Sequence, residues 1–388
     1  MALVLLGAWG CDGGSPVGPG ARLVIVQQPS QAVVDVPLEP SLVVRLEDAA
    51  GRPTEGQISV TLDPNPCEWP VGGTTSAQTT SGVATFGNLT LGQVAKGYRL
   101  TVRSVELQTL SGPIDVVESA PGQELLHEDT FCSKPNPQGD AETLAYIPED
   151  DVFWLADDDS PSIFAVDRAT GVYRTRLAAA DFVAAFPGAG TCDDGDNDPA
   201  TSCSYVNEFE HVAYDPLAGA LYVMNTVNSP QVTPIKDLPA IFKLRRGGCS
   251  LCWNFETWQA MPVDAEFEGL VSIEGELFVA IGREVYRYDF EQNRALTTDA
   301  SGNPLPPAFR AEARVERLHY DGVHLWALLA GGPLKVIEWQ TGNEVASYDL
   351  VGLGVSTPKG IEVVASVLYV LAGDPPNPIW LFELPAGL

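Results

Sequence analysis

The chain has 388 residues, 45% of them hydrophobic, with 37 Gly and 31 Pro. That length accommodates two domains with cores of their own, and so much Gly and Pro suits strands and turns rather than helices. A formal net charge of −29 argues against nucleic acid or an anionic membrane surface as a partner, because both need clustered Lys and Arg. No apolar run reaches the 18 residues that a bilayer-spanning helix requires. The acidity is uneven, with 6 Lys and Arg against 11 Asp and Glu up to Ser119, and 16 against 40 beyond it. Such a surface favours divalent cations or basic partners, and also keeps an exported chain soluble.

Residues 1–20 hold a short apolar run, Met-Ala-Leu-Val-Leu-Leu-Gly-Ala-Trp-Gly, then Cys11 and the Gly- and Pro-rich stretch Asp12–Gly20. The run resembles the end of a bacterial lipoprotein signal peptide. The resemblance implies export, a lipidated Cys11, contact with a membrane only through that anchor, and a place at the outer membrane, cell surface or periplasm. An ordinary secretory signal is the alternative. Without Cys11, six cysteines remain, an even number that suits an oxidising compartment. Cys192 and Cys203 bracket an acidic loop, Cys249 and Cys252 share a second loop, and Cys67 and Cys132 are left to pair. For Cys249-Ser-Leu-Cys252 a structural disulfide is expected, since a zinc site needs further Cys or His ligands nearby.

Residues 21–119 read as a separate unit of short strands: Leu23–Val26, Ser41–Leu46, Ile58–Leu62, Thr79–Phe86 and Gly97–Val102, with Pro, Gly and Asp between them. The turn Asp48-Ala-Ala-Gly-Arg-Pro53, the stretch Thr79-Thr-Ser-Gly-Val-Ala-Thr-Phe86 and the strand Gly97-Tyr-Arg-Leu100 occur in the order seen in bacterial immunoglobulin-like domains of the invasin type. This unit resembles that family. The resemblance implies a β-sandwich acting as a spacer, and names no ligand.

Residues 120–388 repeat one pattern five times. A first run is led by Glu142, Glu210, Glu268, Glu316 and Lys359. A second holds Trp154, Tyr222, Phe278, Trp326 and Tyr369 at one position, and a third begins near Ile163, Ile241, Val285, Leu334 and Ile379. Short β-rich units recurring every 40–60 residues predict a β-propeller, of five blades, or six if the long stretch between Glu142 and Glu210 hides another. Val172–Arg176 and Glu344–Tyr348 are candidates for outer strands. The last repeat lacks its fourth strand, and Glu124–Glu128 is placed to supply it and close the ring. The regular aromatics are expected in the core between sheets.

Two acidic constellations carry the chemistry. Asp194, Asp196 and Asp198 alternate in Cys192-Asp-Asp-Gly-Asp-Asn-Asp198, as oxygen ligands do in calcium loops, with Glu208 the nearest residue to complete the set. The loop resembles the calcium loops of EF-hand-like and thrombospondin type 3 repeats, which makes calcium the expected cofactor. In a propeller the leading glutamates Glu142, Glu210, Glu268 and Glu316 would converge at one mouth of the channel, with Asp157 and Asn225 as further oxygen ligands. Like charges so close raise one another's pKa unless a cation intervenes. Glu268-Gly269-Leu270 resembles the metal-binding glutamate motif of gluconolactonase- and paraoxonase-type propellers. That resemblance implies a metal-dependent hydrolase of lactones or phosphoesters. His211 and His319 face either the channel or a neighbouring sheet. No nucleophile elbow, phosphate loop or zinc-protease motif occurs.

The residues therefore predict an all-β chain: an immunoglobulin-like sandwich followed by a β-propeller. Its expected role is non-catalytic recognition of a protein or polysaccharide at one propeller face. The metal-dependent hydrolase and a structural part in an envelope assembly are the alternatives.

Overall fold

The computed structural model describes residues 20–63, 69–105, 107–117, 126–132, 141–158, 161–190, 202–226, 235–261, 267–373 and 377–388. The chain divides into two compact units, Met1–Gly122 and Gln123–Leu388.

In the first unit, strands Arg22–Gln27, Leu42–Glu47 and Val83–Phe86 form an antiparallel sheet. A second sheet is built on Ala95–Ser104, which pairs with Gln57–Asp63 and Ile114–Val117. Gln31–Val33 joins that sheet in parallel beside Ile114–Val117. Side chains alternate across a strand, so Gln57–Asp63 buries Ile58, Val60 and Leu62 and leaves the residues between them outside. These three meet Leu42, Val44 and Leu46 of the first sheet in one core. The run expected over Thr79–Phe86 is a strand only from Val83, because Ser81 and Gly82 adopt positive φ and turn the chain.

The second unit is a β-propeller of antiparallel sheets whose strands follow one another in chain order. The first sheet comprises Ala141–Ile147, Val152–Asp157, Ser162–Asp167 and Tyr173–Ala178. The second comprises Phe209–Asp215, Ala220–Asn225, Ala240–Arg246 and Trp253–Ala260. The third comprises Phe267–Ile273, Glu276–Ile281, Glu284–Asp289 and the short Arg294–Ala295. The fourth comprises Val315–Tyr320, His324–Leu329, Pro333–Glu338 and Asn343–Asp349. The fifth comprises Pro358–Val364, Val367–Ala372 and Pro378–Glu383. Its fourth strand is Leu126–Cys132, from the start of the unit. This closing strand overlaps the expected Glu124–Glu128 and runs on to Cys132. It covers the edge of Pro378–Glu383 with a strand from the other end of the unit.

The first strands contact one another in a closed cycle: 141–147 with 209–215, then 267–273, 315–320, 358–364 and back to 141–147. They therefore surround the axis. Second strands such as Val152–Asp157 and Ala220–Asn225 are buried at every residue, which explains their unbroken apolar runs. Trp154, Tyr222, Phe278, Trp326 and Tyr369 are all buried between sheets, as expected of core.

The long stretch before Glu210 contains, among the described residues, a short helix, Ala179–Ala185. Asp181 accepts a hydrogen bond from the Ala178 N–H at its start, and Phe182 packs against Phe209, Phe242 and Phe255. Ser202–Ser204 pairs in parallel with Ile235–Asp237.

Cys249 and Cys252 are joined by a disulfide, and their loop presents Ser250 Oγ and the Leu251 N–H to Asp150, in the first turn of the first sheet. Arg246 donates to the same carboxylate at 2.6 Å, so the second sheet is clipped to the first. Cys11, Cys67 and Cys192 lie outside the described residues, as do the side chains of Cys132 and Cys203.

Close approach of the inner strands depends on glycine at one position. A Cβ at Gly360 would lie 2.5 Å from Leu144 Cδ2 and 3.0 Å from the Thr143 Cα. Gly360→Ala is expected to lower stability by about 1–3 kcal/mol, the usual scale of overpacking. Gly248→Ala, with open space around it, is expected to shift the denaturant midpoint far less, and comparing the two midpoints checks the claim.

Candidate functional site

The ladder between first and second strands slips in every sheet, always at the residue that leads the repeat. The slips fall between Ala141 and Thr143, Phe209 and His211, Phe267 and Gly269, Val315 and Arg317, and Pro358 and Gly360. Glu142, Glu210, Glu268, Glu316 and Lys359 are thus the extra residues of β-bulges, left out of the pairing on that strand. A bulge re-aims a side chain and frees backbone groups from the ladder. Five bulges at equivalent places around the ring bring their residues to one end of the channel.

Basic side chains stand among these carboxylates. Arg317 Nη2 donates to a carboxylate oxygen of Glu142, and Lys359 Nζ lies 2.5 Å from the other one. Arg314 reaches Glu268 at 2.8 Å and Glu316 at 2.9 Å. Arg317 also donates to backbone carbonyls: Nε to Glu142 at 2.9 Å, and Nη1 to Glu316 at 2.7 Å and Glu268 at 3.4 Å. Only arginine offers five donors on one plane, and here that plane links the first, third and fourth sheets across the axis. Glu142 and Arg317 are 4% and 6% exposed, so each is a buried charge that depends on the other.

Arg314, Arg317 and Lys359 thus stand between the carboxylates of Glu142, Glu268 and Glu316. Sequence reasoning passed over Arg314 and Arg317, although the sign change at Lys359, in a position otherwise held by Glu, was a visible signal. Among the described residues no group of three or more His, Cys, Asp or Glu is arranged to hold a metal ion. Asp157 and Asn225 end their second strands opposite Ala141 and Phe209, beside the bulges, and both are buried. Asn225 is committed to the backbone: its Oδ1 accepts from the Glu208 N–H, and its Nδ2 donates to the Thr226 and Leu238 carbonyls. Glu208 is buried beside it. Asp194, Asp196 and Asp198 lie outside the described residues.

His211, next to Glu210, is 1% exposed. Its Nε2 is 3.5 Å from Glu210 Oε2 and makes no hydrogen bond of good geometry. Burial and the nearby Arg317 charge push its pKa down from 6.5. Glu210 is also lowered: burial pushes it up, but His211 and Arg317 outweigh that. The pair is read as neutral imidazole beside ionised carboxylate, since the Arg317 charge favours both forms.

The other end of the same five strands is different. A cavity of about 180 Å³ is lined by residues from all of them. One position of each inner strand, Ala145, Ala213, Val271, His319 and Glu362, sits directly opposite the core aromatic of its second strand. Three are small and apolar. The other two form a pair, His319 Nδ1 to Glu362 Oε1 at 3.2 Å. The Val363 N–H donates to His319 Nε2 at 3.2 Å. That nitrogen therefore carries no proton, and Nδ1–H faces Glu362.

The next residues outward along three strands are the half-buried Tyr146, Tyr214 and Tyr320. Their hydroxyls donate to Asp151 at 2.9 Å, Glu149 at 2.8 Å and the Gly322 carbonyl at 2.8 Å, which fixes the rings. Burial raises all three phenol pKa values, reinforced by Asp151 at Tyr146, by Glu149 at Tyr214, and by Glu274 and Asp321 at Tyr320.

No family model matches the chain, and no curated protein matches it. Among solved structures it is similar to glutaminyl cyclase from Myxococcus xanthus, at 11% identity and a TM-score of 0.45, over 67% of this chain and 97% of that one. It is also similar to the Swd1 (Cps50) β-propeller domain of Myceliophteria thermophila, at 9% identity and a TM-score of 0.36, over 67% of this chain and 100% of that one. The WD40 repeats of RRP9 give 10% identity and a TM-score of 0.37, over 63% and 76%.

Removing one member of a buried ion pair strands the other charge, at about 3–5 kcal/mol. Glu142→Met takes from the buried Arg317 the carboxylate it bonds and is expected to destabilise by that amount, whereas the double variant Glu142→Met/Arg317→Met should recover part of it. Urea unfolding of the three proteins provides the comparison.

His211 supplies a pH signature. Because its folded pKa lies below 6.5, the unfolded chain binds the proton first as pH falls, so this residue's contribution declines from about pH 6.5 downward. Urea midpoints at pH 7.5, 6.5 and 5.5 should fall more steeply for the wild type than for His211→Asn.

Proposed function

We propose that the Gln123–Leu388 unit is a five-bladed recognition propeller that takes the tip of a larger partner, a protein or a polysaccharide, into the tyrosine-rimmed end of its channel. One observation carries this reading. The cavity is lined by all five inner strands and edged by rings held in place by their own hydrogen bonds, while the charged groups at the opposite end bond to one another. At about 180 Å³ it is smaller than the roughly 300–1,000 Å³ of sites that enclose a drug-sized ligand. A side-chain tip or a single sugar edge fits that scale.

The metal-dependent hydrolase is less favoured, because an ion among the leading glutamates would have to displace Arg314, Arg317 and Lys359 from them. A structural role in an envelope assembly needs a broad apolar patch. The large exposed apolar residues described in this unit, Val172, Tyr173, Leu217, Leu305, Val323, Val345 and Val351, are instead scattered over four different sheets and their connections. The same reading treats Met1–Gly122 as an immunoglobulin-like spacer, anchored through a lipidated Cys11 in an exported protein. We assign calcium to the Asp194, Asp196 and Asp198 loop, on the strength of its alternating carboxylates.

Ser272 lines the cavity, so Ser272→Trp should fill it. Fluorescently labelled full chain probed against glycan and peptide arrays, with and without chelator, is expected to give hits that the variant loses at unchanged melting temperature. Binding that survives Ser272→Trp, or lactone or phosphoester turnover abolished by chelator, would overturn the recognition reading. A melting temperature indifferent to chelator would remove the calcium assignment alone.

A further inference from the structure

The charge around the cavity is one-sided. Its lining, among the described residues, includes Glu362 and Asp321 but no Lys or Arg. Glu362 faces a His319 whose Nε2 is an acceptor, so the imidazole beside it brings no positive charge. Asp321 is fixed as an acceptor by the backbone N–H groups of Val323 and His324 and by the Trp326 indole N–H, with the His324 imidazole Nδ1 3.2 Å from the same carboxylate. Its carboxyl is held below the usual range: burial pushes it up, and these donors outweigh that. The cavity therefore presents uncompensated negative charge at its base and rim.

The rings add to this. Aromatic faces attract cations within about 6 Å of the centroid, and a phenol that donates to a carboxylate has a more electron-rich ring. Tyr146 and Tyr214 both do so. The chain uses the interaction itself, since the Arg168 guanidinium lies 5.9 Å from the Tyr146 ring centre. Tyr214 and Tyr320 line the same cavity from the second and fourth sheets.

Resting on the recognition reading above, we propose that the group received by this cavity is an ammonium, of the primary or alkylated kind borne by a lysine side chain, an amino sugar or a choline-type head. Glu362 lies at the apolar base, beside Ala145, Ala213 and Val271, and supplies the counter-charge. Tyr214 and Tyr320 supply the aromatic walls. A neutral sugar or an anionic group would meet the same carboxylates without compensation.

Isothermal titration of the full chain with choline, and with its neutral isostere 3,3-dimethylbutan-1-ol, tests the charge requirement. Choline is expected to bind at least roughly tenfold more tightly. Glu362→Gln keeps an oxygen for His319 Nδ1–H and removes only the charge, so it should weaken choline binding by about tenfold or more at unchanged melting temperature. Tyr214→Leu should weaken it about 2–30-fold, the span that cation–π energies give. Equal binding of the isostere, no binding of choline, or an unaffected Glu362→Gln variant would overturn the ammonium assignment. A neutral glycan or peptide that still binds and is blocked by Ser272→Trp would do the same, yet leave the recognition reading standing. If no array ligand is sensitive to Ser272→Trp, that reading fails with it.

Discussion

The propeller turns on how the backbone carbonyls and charged side chains of its leading residues are accommodated near the axis. Each inner strand bulges at its leading residue, and a bulge takes a carbonyl out of the ladder. A buried carbonyl without a donor costs about as much as a lost hydrogen bond. The Arg317 guanidinium answers for the carbonyls of Glu142, Glu268 and Glu316, while its charge meets the Glu142 carboxylate. Ring geometry and electrostatics therefore cannot be separated: the bulges create the need for a cation on the axis, and the cation ties the sheets together.

That arrangement divides the channel into two chemically distinct ends. At the bulged end, carboxylates are matched by Arg314, Arg317 and Lys359, and the buried His211 is kept neutral by its surroundings. At the far end the strands carry Ala145, Ala213 and Val271 opposite the large core aromatics, and the missing volume becomes a cavity. Its acidic groups face imidazoles but no Lys or Arg of the lining, and its tyrosines are held by their hydroxyls. The same five strands thus fix a closed plug of paired charges and an open, acidic cup, separated by only a few residues along each strand.

Much of the architecture was legible beforehand. The repeating Glu-led runs, the aromatic at one position of each second run and the missing last strand all pointed to sheets around an axis. Each reflects a local rule of alternation or continuous burial, which sequence records directly. The helix Ala179–Ala185 escaped notice because seven residues carry too little periodicity to stand out from a loop. The site was less legible. Glu142 and Glu268 invite reading as metal ligands, but the side chains that meet them, Arg317 and Arg314, lie in the fourth repeat, and the sequence gives no distance between repeats. Tyr146, Tyr214 and Tyr320 could be seen to recur, but not to edge a cavity.

The amino-acid sequence by itself determined the strand periodicity, the repeat, the lone lysine among leading glutamates and the excess of negative charge, because each is written in composition or in spacing along one strand. Only the tertiary structure decided which charges cancel and which remain exposed to a ligand. Closing the ring brings residues 175 positions apart, Glu142 and Arg317, into one hydrogen bond. The same closure leaves Glu362 beside an imidazole that offers it no charge. Coulomb and hydrogen-bond energies depend on separations of a few ångströms, and those separations come into being only when the first and last strands meet.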